Sequence, residues 1–390
     1  MGSPETQSEK DGSASAGILK LPIPQPTADS VPPPRAELTA DQATKYEWLL
    51  EQVQSWTTVA ASKDSKEDKS GPLTDDDRFW LTRECLLRYL RATKWHEKDA
   101  AKRLMETLSW RREYGVDALT AHHISPENET GKQVLLGYDK QGRVCHYLNP
   151  GRQNTDPSPR QVQHLVYMVE RVIDIMPAGQ ETLALLINFK TSKSRTNTAP
   201  GISTGREVLH ILQTHYPERL GRALIINVPW VVWGFFKLIT PFIDPLTREK
   251  LKFNEDMNQY VPAEQLWTEF LGKLEFDYDH DVYWPALTKL AAERRAERLA
   301  RWEAGGKQIG ELEDFLAGKL AQGVKPAEGV VAAAPVAAAP AETATPAAPA
   351  AVETGETTAN TSVEDLKVAD LKVTDETPAA ATETQTATAA

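Results

Sequence analysis

Residues 215–251, HYPERLGRALIINVPWVVWGFFKLITPFIDPLTREKL, decide how the rest of this chain is interpreted. The run Ala223–Val228 is typical of a short strand that is buried on both faces, and Pro229 ends it. The next run, Trp230–Ile239, is apolar around almost the whole circumference of a helix, whereas a helix that faces water shows one polar side. It is too short to span a bilayer, which takes about 20 apolar residues. Two alternatives remain: a helix buried in the core, or a helix whose outer face contacts lipid.

Charged clusters flank this apolar helix, with Glu218-Arg219 before it and Thr247–Lys250 after it. With these clusters included, the stretch resembles the gate region of CRAL-TRIO lipid-binding domains, and most closely that of fungal phosphatidylinositol transfer proteins of the pleiotropic drug-resistance subgroup. The resemblance covers roughly residues 79–287 and consists of several separate matching pieces. It implies an α/β CRAL-TRIO lipid-binding fold with a sheet floor, helices and a mobile gate helix, preceded by a small all-helical lobe.

Composition excludes several classes of function. A formal net charge of −11 argues against nucleic acid as a partner, because neutralising phosphates requires a basic surface. The 2 cysteines, Cys85 and Cys145, lack metal-ligand spacing and suit a reducing, intracellular compartment. The N-terminus lacks the apolar core of a signal peptide. We therefore expect no metal, no cofactor and a cytoplasmic protein that visits a membrane transiently, at the endoplasmic reticulum, a lipid droplet or the plasma membrane.

The sequence predicts five segments, which differ in polarity and helical periodicity. They are a mostly disordered N-terminal region with one possible helix (1–74), a helical lobe (75–125), a CRAL-TRIO lipid-binding domain (126–287), a C-terminal helical extension (288–323) and a disordered Ala/Pro/Thr-rich tail (324–390).

Hydrophobic periodicity and turn residues predict the individual elements. The predicted helices cover 38–59, 75–90, 99–114, 161–176, 206–212, 263–271 and 284–302, and the predicted strands cover 133–138, 143–148, 183–189, 223–228 and 251–253. The first two strands are expected to form a hairpin, because Gly142 lies at the turn between them.

The apolar helix suits a door on a lipid cavity. Exposing acyl chains to water costs roughly 0.8 kcal/mol per CH₂, so a carrier needs an apolar cavity and a gate that closes it. When the gate is open, aromatic side chains are well suited to lie among lipid headgroups. The expected gate residues are Trp230, Val231, Trp233, Phe235, Phe236, Ile239 and Phe242.

The resemblance also implies a phosphatidylinositol headgroup site at Glu218, Thr247 and Lys250. Lys250 can meet the phosphate as a point charge, Thr247 can donate to it, and Glu218 can hold Lys250 or accept from inositol hydroxyls. The alternative is a surface Glu–Lys pair beside a turn. One family position departs, since the second basic residue of its LRARK-type motif is Thr93 here, in a sequence where Arg91 is retained.

A strand at Leu183, Leu185 and Ile187 is expected to line the cavity. The family member that also carries phosphatidylcholine has hydroxyl residues where this chain has Leu183 and Leu185. Leucine cannot donate a hydrogen bond to a choline lipid's phosphate. The resemblance therefore implies a carrier of phosphatidylinositol that does not carry phosphatidylcholine, with a sterol or another apolar lipid as a possible second cargo.

The alternatives to exchange are presentation of phosphatidylinositol to a phosphoinositide kinase and hydrolysis of lipid through Ser203. Residues 201–205, GISTG, match the G-x-S-x-G pattern, but a nucleophile elbow follows a buried strand directly, and a polar loop precedes this one. His122-His123 is expected in a loop without metal-ligand partners. We therefore predict a protein that is not an enzyme.

Overall fold

The computed structural model describes residues 18–61, 69–190, 202–230, 233 and 245–324. The described residues before the central sheet form mainly helices. These elements are α1 (Ala40–Gln54), β1 (Thr58–Val59), β2 (Gly71–Pro72), α2 (Asp75–Trp80), α3 (Arg83–Ala92), α4 (Glu97–Tyr114) and α5 (Ala121–Asn128). The two short strands pair with each other and close the connection from α1 to α2.

Side-chain caps determine where these helices begin. Thr39 caps α1 by accepting from the backbone N–H of Gln42, whose side chain accepts from the Thr39 N–H in return. The apolar stripe predicted to run through a single helix is divided between α2 and α3, because Thr82 caps a new helix by accepting from Cys85 N. The predicted end of α4 at Gly115 is confirmed, since this glycine has φ 74.

Five strands of the described residues form the central sheet. They are β3 (Gln133–Tyr138), β4 (Val144–Leu148), β5 (Leu183–Asn188), β6 (Leu220–Ile226) and β7 (Leu251–Phe253), and they lie side by side in that order. The hairpin of β3 and β4 is antiparallel, as predicted, and every later neighbour is parallel. The predicted α/β architecture is therefore confirmed.

Helices connect and cover these strands. They are α6 (Pro159–Ile175), α7 (Ile202–His215), α8 (Pro245–Glu249), α9 (His280–Ala304) and α10 (Glu313–Leu316). One face of α6 is built into the core with the sheet, and another packs with α7 through Val162, Val166 and Val169.

The helix predicted over 263–271 is wrong. The chain makes two single 3₁₀ turns there, Ala263–Gln265 and Thr268–Phe270, with Trp267 extended between them. Extension places the Trp267 ring 5.8 Å from the ring of Tyr147 and lets its indole N–H donate to Phe276 O at 3.0 Å. Burial of this large side chain beneath the sheet outweighs local helix propensity.

The N-terminal region is more ordered than its polar composition predicts. Residues 18–39 form a strap along the domain rather than the disordered segment that was expected. Leu19 bonds with the backbone of Glu275 and Asp277, and Lys20 pairs with Asp279 at 2.9 Å. Ordering the strap costs conformational entropy, which its few apolar residues are not sufficient to offset. The long-range contacts contribute to offsetting this cost.

The described residues all belong to one compact unit. The predicted disordered tail lies almost wholly outside the described residues. No helix within the described ranges is both long and apolar enough to cross a bilayer.

Candidate functional site

Two rows of side chains cross one face of the sheet. Because residues paired in parallel strands point to the same side, the strand register defines each row. One row is Leu148, Ile187, Ile225 and Phe253, and the next is His146, Leu185, Ala223 and Leu251.

This face is partly open at β5, the strand predicted to line a cavity. Leu185 and Ile187 are half-buried, whereas Ala184 and Leu186 on the opposite face are completely covered. Leu183 shares the half-open face but is buried in the core at the start of the strand. The apolar side chains needed for a cavity wall are therefore available at two of the three predicted positions.

The predicted gate follows β6 directly. β6 and β7 are parallel, so the chain between them must return from the carboxyl end of one strand to the amino end of the other. Trp230 is 83% exposed at the start of this connection, and the ring of Trp233 lies 4.7 Å from that of Phe253. Since Phe253 belongs to the half-open face, the connection begins over that face. The other predicted gate residues, Val231, Phe235, Phe236, Ile239 and Phe242, lie outside the described residues.

The predicted headgroup residues lie at the amino ends of β6 and β7. Glu218 is exposed, in the turn before β6, and Lys250 is half-buried directly before β7. Lys250 is level with Arg222, because Leu251 pairs with Ala223. Glu218 is four residues earlier in the chain than Arg222, in the turn that precedes Leu220, the first residue of β6. Within the described residues no ion pair joins Glu218 to Lys250, so a direct Glu–Lys pair is not what this structure contains.

Thr247 is in the short helix α8, one turn before Lys250. Its carbonyl accepts from the Lys250 N–H at 3.1 Å, which fixes the backbone of Lys250 against the end of α8. In turn, Lys250 O accepts from Ala223 N at 2.8 Å. These two bonds hold Thr247 and Lys250 at the sheet edge.

The turn that carries Glu218 is anchored by its neighbour Arg219. Glu218 has φ 58, an uncommon conformation for a residue other than glycine. Arg219 is buried and donates to the carbonyl of Glu181 at 3.0 Å. Burial lowers the pKa of Arg219 to about 10, because desolvation disfavours its charged form. The turn therefore places the side chain of Arg219 inside the protein and that of Glu218 at the surface.

Glu181 links this turn to the helical lobe. Its carboxylate pairs with Arg88 at 3.1 Å, with Arg91 at 2.9 Å and with Arg35 of the strap at 3.3 Å. Arg91, the basic residue retained beside Thr93, is thus engaged within the protein. No local pattern indicates this cluster, because the three arginines are about 90 to 150 residues away from Glu181 in the chain.

Thr93 has a structural role in the described residues. Its hydroxyl donates to the carbonyls of Tyr89 and Leu90 at the end of α3, so the side chain completes the helix C-terminus. Thr93 is uncharged and therefore does not supply the positive charge of the family's basic residue.

The serine of the G-x-S-x-G pattern is exposed in the first turn of α7. β5 ends at Asn188, so no described strand leads directly into Ser203 as an elbow requires. His122 and His123 lie in α5 rather than in the expected loop, and His123 Nε2 bonds with Gln163. No cluster suited to a metal ion occurs among the described residues.

The chain matches two family models, the CRAL/TRIO domain over residues 128–272 and the CRAL/TRIO N-terminal domain over residues 45–106. A CRAL-TRIO domain-containing protein of Schizosaccharomyces pombe is 54% identical over 77% of this chain, which spans 30% of that relative's length. The phosphatidylinositol transfer protein PDR17 of Saccharomyces cerevisiae is 45% identical over 62% of this chain and 72% of its own length. Among solved structures, the crystal structure of Sfh5 aligns with a TM-score of 0.38 and 16% identity, over 57% of this chain and 84% of that one.

Proposed function

Because this chain belongs to the CRAL-TRIO family, we propose that it is a non-catalytic carrier that binds phosphatidylinositol and exchanges it between membranes. The similarity to a phosphatidylinositol transfer protein over 72% of that protein's length supports the choice of cargo. The structural observation that carries the proposal is the half-open face of the sheet, where Leu185 and Ile187 lie below the start of the predicted gate.

Acyl chains occupy the half-open face in this proposal. Removing them from water requires apolar contacts, which the aliphatic rows on β5 and β6 supply. The aromatic side chain of Trp233, against Phe253, covers one end of these rows. In this proposal the gate that the sequence predicts at Trp230–Phe242 moves aside for a lipid to enter or leave.

The headgroup is bound at the amino ends of β6 and β7. Lys250 neutralises the phosphodiester, and Thr247 donates to it. Glu218 accepts from inositol hydroxyls, which its exposed carboxylate leaves accessible.

The second cargo is an apolar lipid such as a sterol. Leu185 places an alkyl group where a choline lipid would need a hydrogen-bond donor, so the cavity wall favours ligands that place no phosphate against this strand. Lipid mass spectrometry of protein purified from cells identifies this cargo.

Replacing both Glu218 and Lys250 with alanine tests the headgroup assignment. The double variant is expected to lose phosphatidylinositol transfer between vesicles while keeping the wild-type melting temperature. The matched control replaces Lys289 and Glu293, an exposed pair on α9, and is expected to transfer normally. Normal transfer by the Glu218→Ala/Lys250→Ala variant would refute the assignment.

A further inference from the structure

The turn that follows Phe270 uses leucine where a helix end favours glycine. Gly272 N donates to Trp267 O at 3.2 Å and Leu271 N donates to Thr268 O at 3.1 Å. This pair of bonds is a Schellman motif, whose left-handed position is most often glycine. Here Leu271 occupies it, with φ 69. A branched side chain at a left-handed position costs stability, so the fold alone does not account for this leucine.

The side chain of Leu271, whose left-handed backbone costs stability, is also directed into solvent. Leu271 is 65% exposed, although its backbone is fixed by the motif and by Asn258, whose side-chain amide donates to Leu271 O at 3.1 Å. A single exposed leucine is unremarkable on a protein surface, but an exposed leucine held in a strained conformation points to a use for it.

Leu271 lies at the same end of the sheet as Trp230. The side chain of Asn188, at the end of β5, donates to Glu269 O at 3.0 Å and accepts from Asn227 at 2.9 Å. Glu269 is two residues before Leu271, and Asn227 is three residues before Trp230. Asn188 therefore joins the turn to the start of the predicted gate, and two large apolar side chains are exposed on either side of this junction.

The charges around Leu271 nearly balance. Lys190 and Lys273 are exposed nearby, Glu269 pairs with Arg152 at 2.7 Å, and Asp256 accepts from Asn258. This surface therefore has little net attraction for anionic groups. Its distinguishing property is apolar area, flanked by lysines whose alkyl stems can follow an inserted side chain while their ammonium groups remain in water.

We propose that Leu271 is a second membrane contact, which inserts into the interfacial region of a bilayer beside Trp230 and orients the mouth of the carrier towards the lipid. The inference rests on the proposed function, since a carrier must meet a membrane at its gate. A bilayer suits this surface because aromatic and aliphatic side chains partition into the interface without a complementary pocket. Contact through Leu271 would direct the half-open face of the sheet and its connection towards the donor membrane.

Flotation of the full chain with vesicles of phosphatidylcholine alone tests the contact. Leu271→Gly relieves the left-handed strain while removing the apolar side chain. It is therefore expected to melt at or above the wild-type temperature, yet to bind vesicles about tenfold more weakly. Leu271→Phe is expected to restore binding. Leu320→Gly is the matched control, because it removes an exposed leucine from the C-terminal extension, and it is expected to bind like the wild type.

Vesicle binding by Leu271→Gly equal to the wild type would overturn the inference, as would a wild type that does not bind these vesicles. If Leu271→Gly fails to fold, Leu271→Asn provides the same comparison, because asparagine tolerates the left-handed region. Phosphatidylinositol transfer is measured in parallel. Leu271-dependent binding without transfer by the wild type would refute the proposed function and support the membrane contact. Transfer with Leu271-independent binding would refute only the contact.

Discussion

At the scale of single residues, the lipid selectivity of the cavity is attributed to Leu185. Its side chain is half-buried on the open face of the sheet, so a hydroxyl group there could reach a lipid phosphate, whereas Leu183 is buried in the core. We expect the wild type to transfer phosphatidylinositol but not phosphatidylcholine. Leu185→Thr is expected to raise phosphatidylcholine transfer about fivefold, the effect of one hydrogen bond of about 1 kcal/mol. Transfer of both lipids at comparable rates by the wild type would contradict this explanation.

The same substitution at Leu183 distinguishes a residue that lines the cavity from one that is buried in the core. Leu183→Thr places a hydroxyl in the hydrophobic cluster, so it is expected to lower the melting temperature without improving phosphatidylcholine transfer. An increase in phosphatidylcholine transfer by this variant would show that both leucines face the ligand.

The sequence identifies candidate residues but not their partners in the fold. Glu218 and Lys250 were identified by local motifs, and the structure puts both at the amino ends of adjacent strands. The separation of these two side chains depends on the offset between β6 and β7, which no local pattern encodes. Arg219 is next to Glu218 in the sequence, but its burial against Glu181 depends on contacts with a segment that lies 38 residues away in the chain.

At the scale of elements, the strap is held by charge as well as by the packing of a few aliphatic side chains against the core. Arg35 contacts the carboxylates of Glu84, Glu181 and Asp314, and Glu84 is only 1% exposed. Polar, proline-rich composition predicted disorder here, because it reports the apolar area that a segment can bury. Composition does not indicate that three carboxylates from distant parts of the chain will contact Arg35. Strands and long helices were predicted well, because the apolar residues that create their periodicity are the residues that become buried.

Replacing Arg35 with alanine is expected to destabilise the protein by up to about 3 kcal/mol near neutral pH, since it removes one of the two arginines, Arg35 and Arg83, that pair with the buried Glu84. Burial, together with the nearby Glu313, raises the pKa of Glu84 above its usual 4.5. A raised carboxyl pKa means that the folded state binds a proton more tightly than the unfolded state, so the cost of ionised Glu84 disappears as pH falls through its folded pKa.

Chemical denaturation of Arg35→Ala measures this dependence. The loss of stability relative to the wild type is expected to be smaller at about pH 4.5 than at about pH 7.5. Lys289→Ala, which removes an exposed charge from α9, is expected to change stability by less than about 0.5 kcal/mol at either pH. A pH-independent loss in Arg35→Ala would show that packing, not charge, holds the strap.

The gate is the second element whose role can be tested. Phe235 and Phe236 lie outside the described residues, so the test rests on the sequence. In the predicted gate helix, neighbouring residues point about 100° apart, so an aspartate is expected to face lipid at one position and the protein at the other. We expect one of Phe235→Asp and Phe236→Asp to stop transfer with an unchanged melting temperature, and the other to lose a few kcal/mol of stability. Unfolding of both variants would favour the core-helix alternative.

At the scale of the whole molecule, Glu313 joins the C-terminal extension to the lobe. Its carboxylate pairs with Arg88 at 2.9 Å and accepts from Thr82 at 2.9 Å, while its backbone N–H donates to Glu84 at 2.8 Å. Arg88 also pairs with Glu181, which lies just before β5 of the sheet. One chain of charges therefore connects the extension, the lobe and the sheet, so they should unfold together.

Glu313→Gln keeps the shape of this side chain and removes its charge. Burial alone would raise the pKa of Glu313, but Arg88 and Arg219 outweigh that effect and lower the pKa from 4.5 to about 2. A depressed carboxyl pKa contributes stability that is present above the unfolded value and is lost as pH falls towards the folded value. The size of the shift corresponds to about 3 kcal/mol at neutral pH. We therefore expect Glu313→Gln to lose about that much at pH 7.

The pH range distinguishes this loss from the one at Arg35. For Glu313→Gln the difference from the wild type should stay constant down to about pH 4.5 and shrink only below it, because the wild-type group begins to bind protons there in the unfolded state. Tryptophan fluorescence and far-ultraviolet circular dichroism should report one shifted transition, since the same charges connect the lobe and the sheet. Separate transitions for the two probes, or a full loss that persists at about pH 2, would show that Glu313 does not couple the parts of the molecule through its charge.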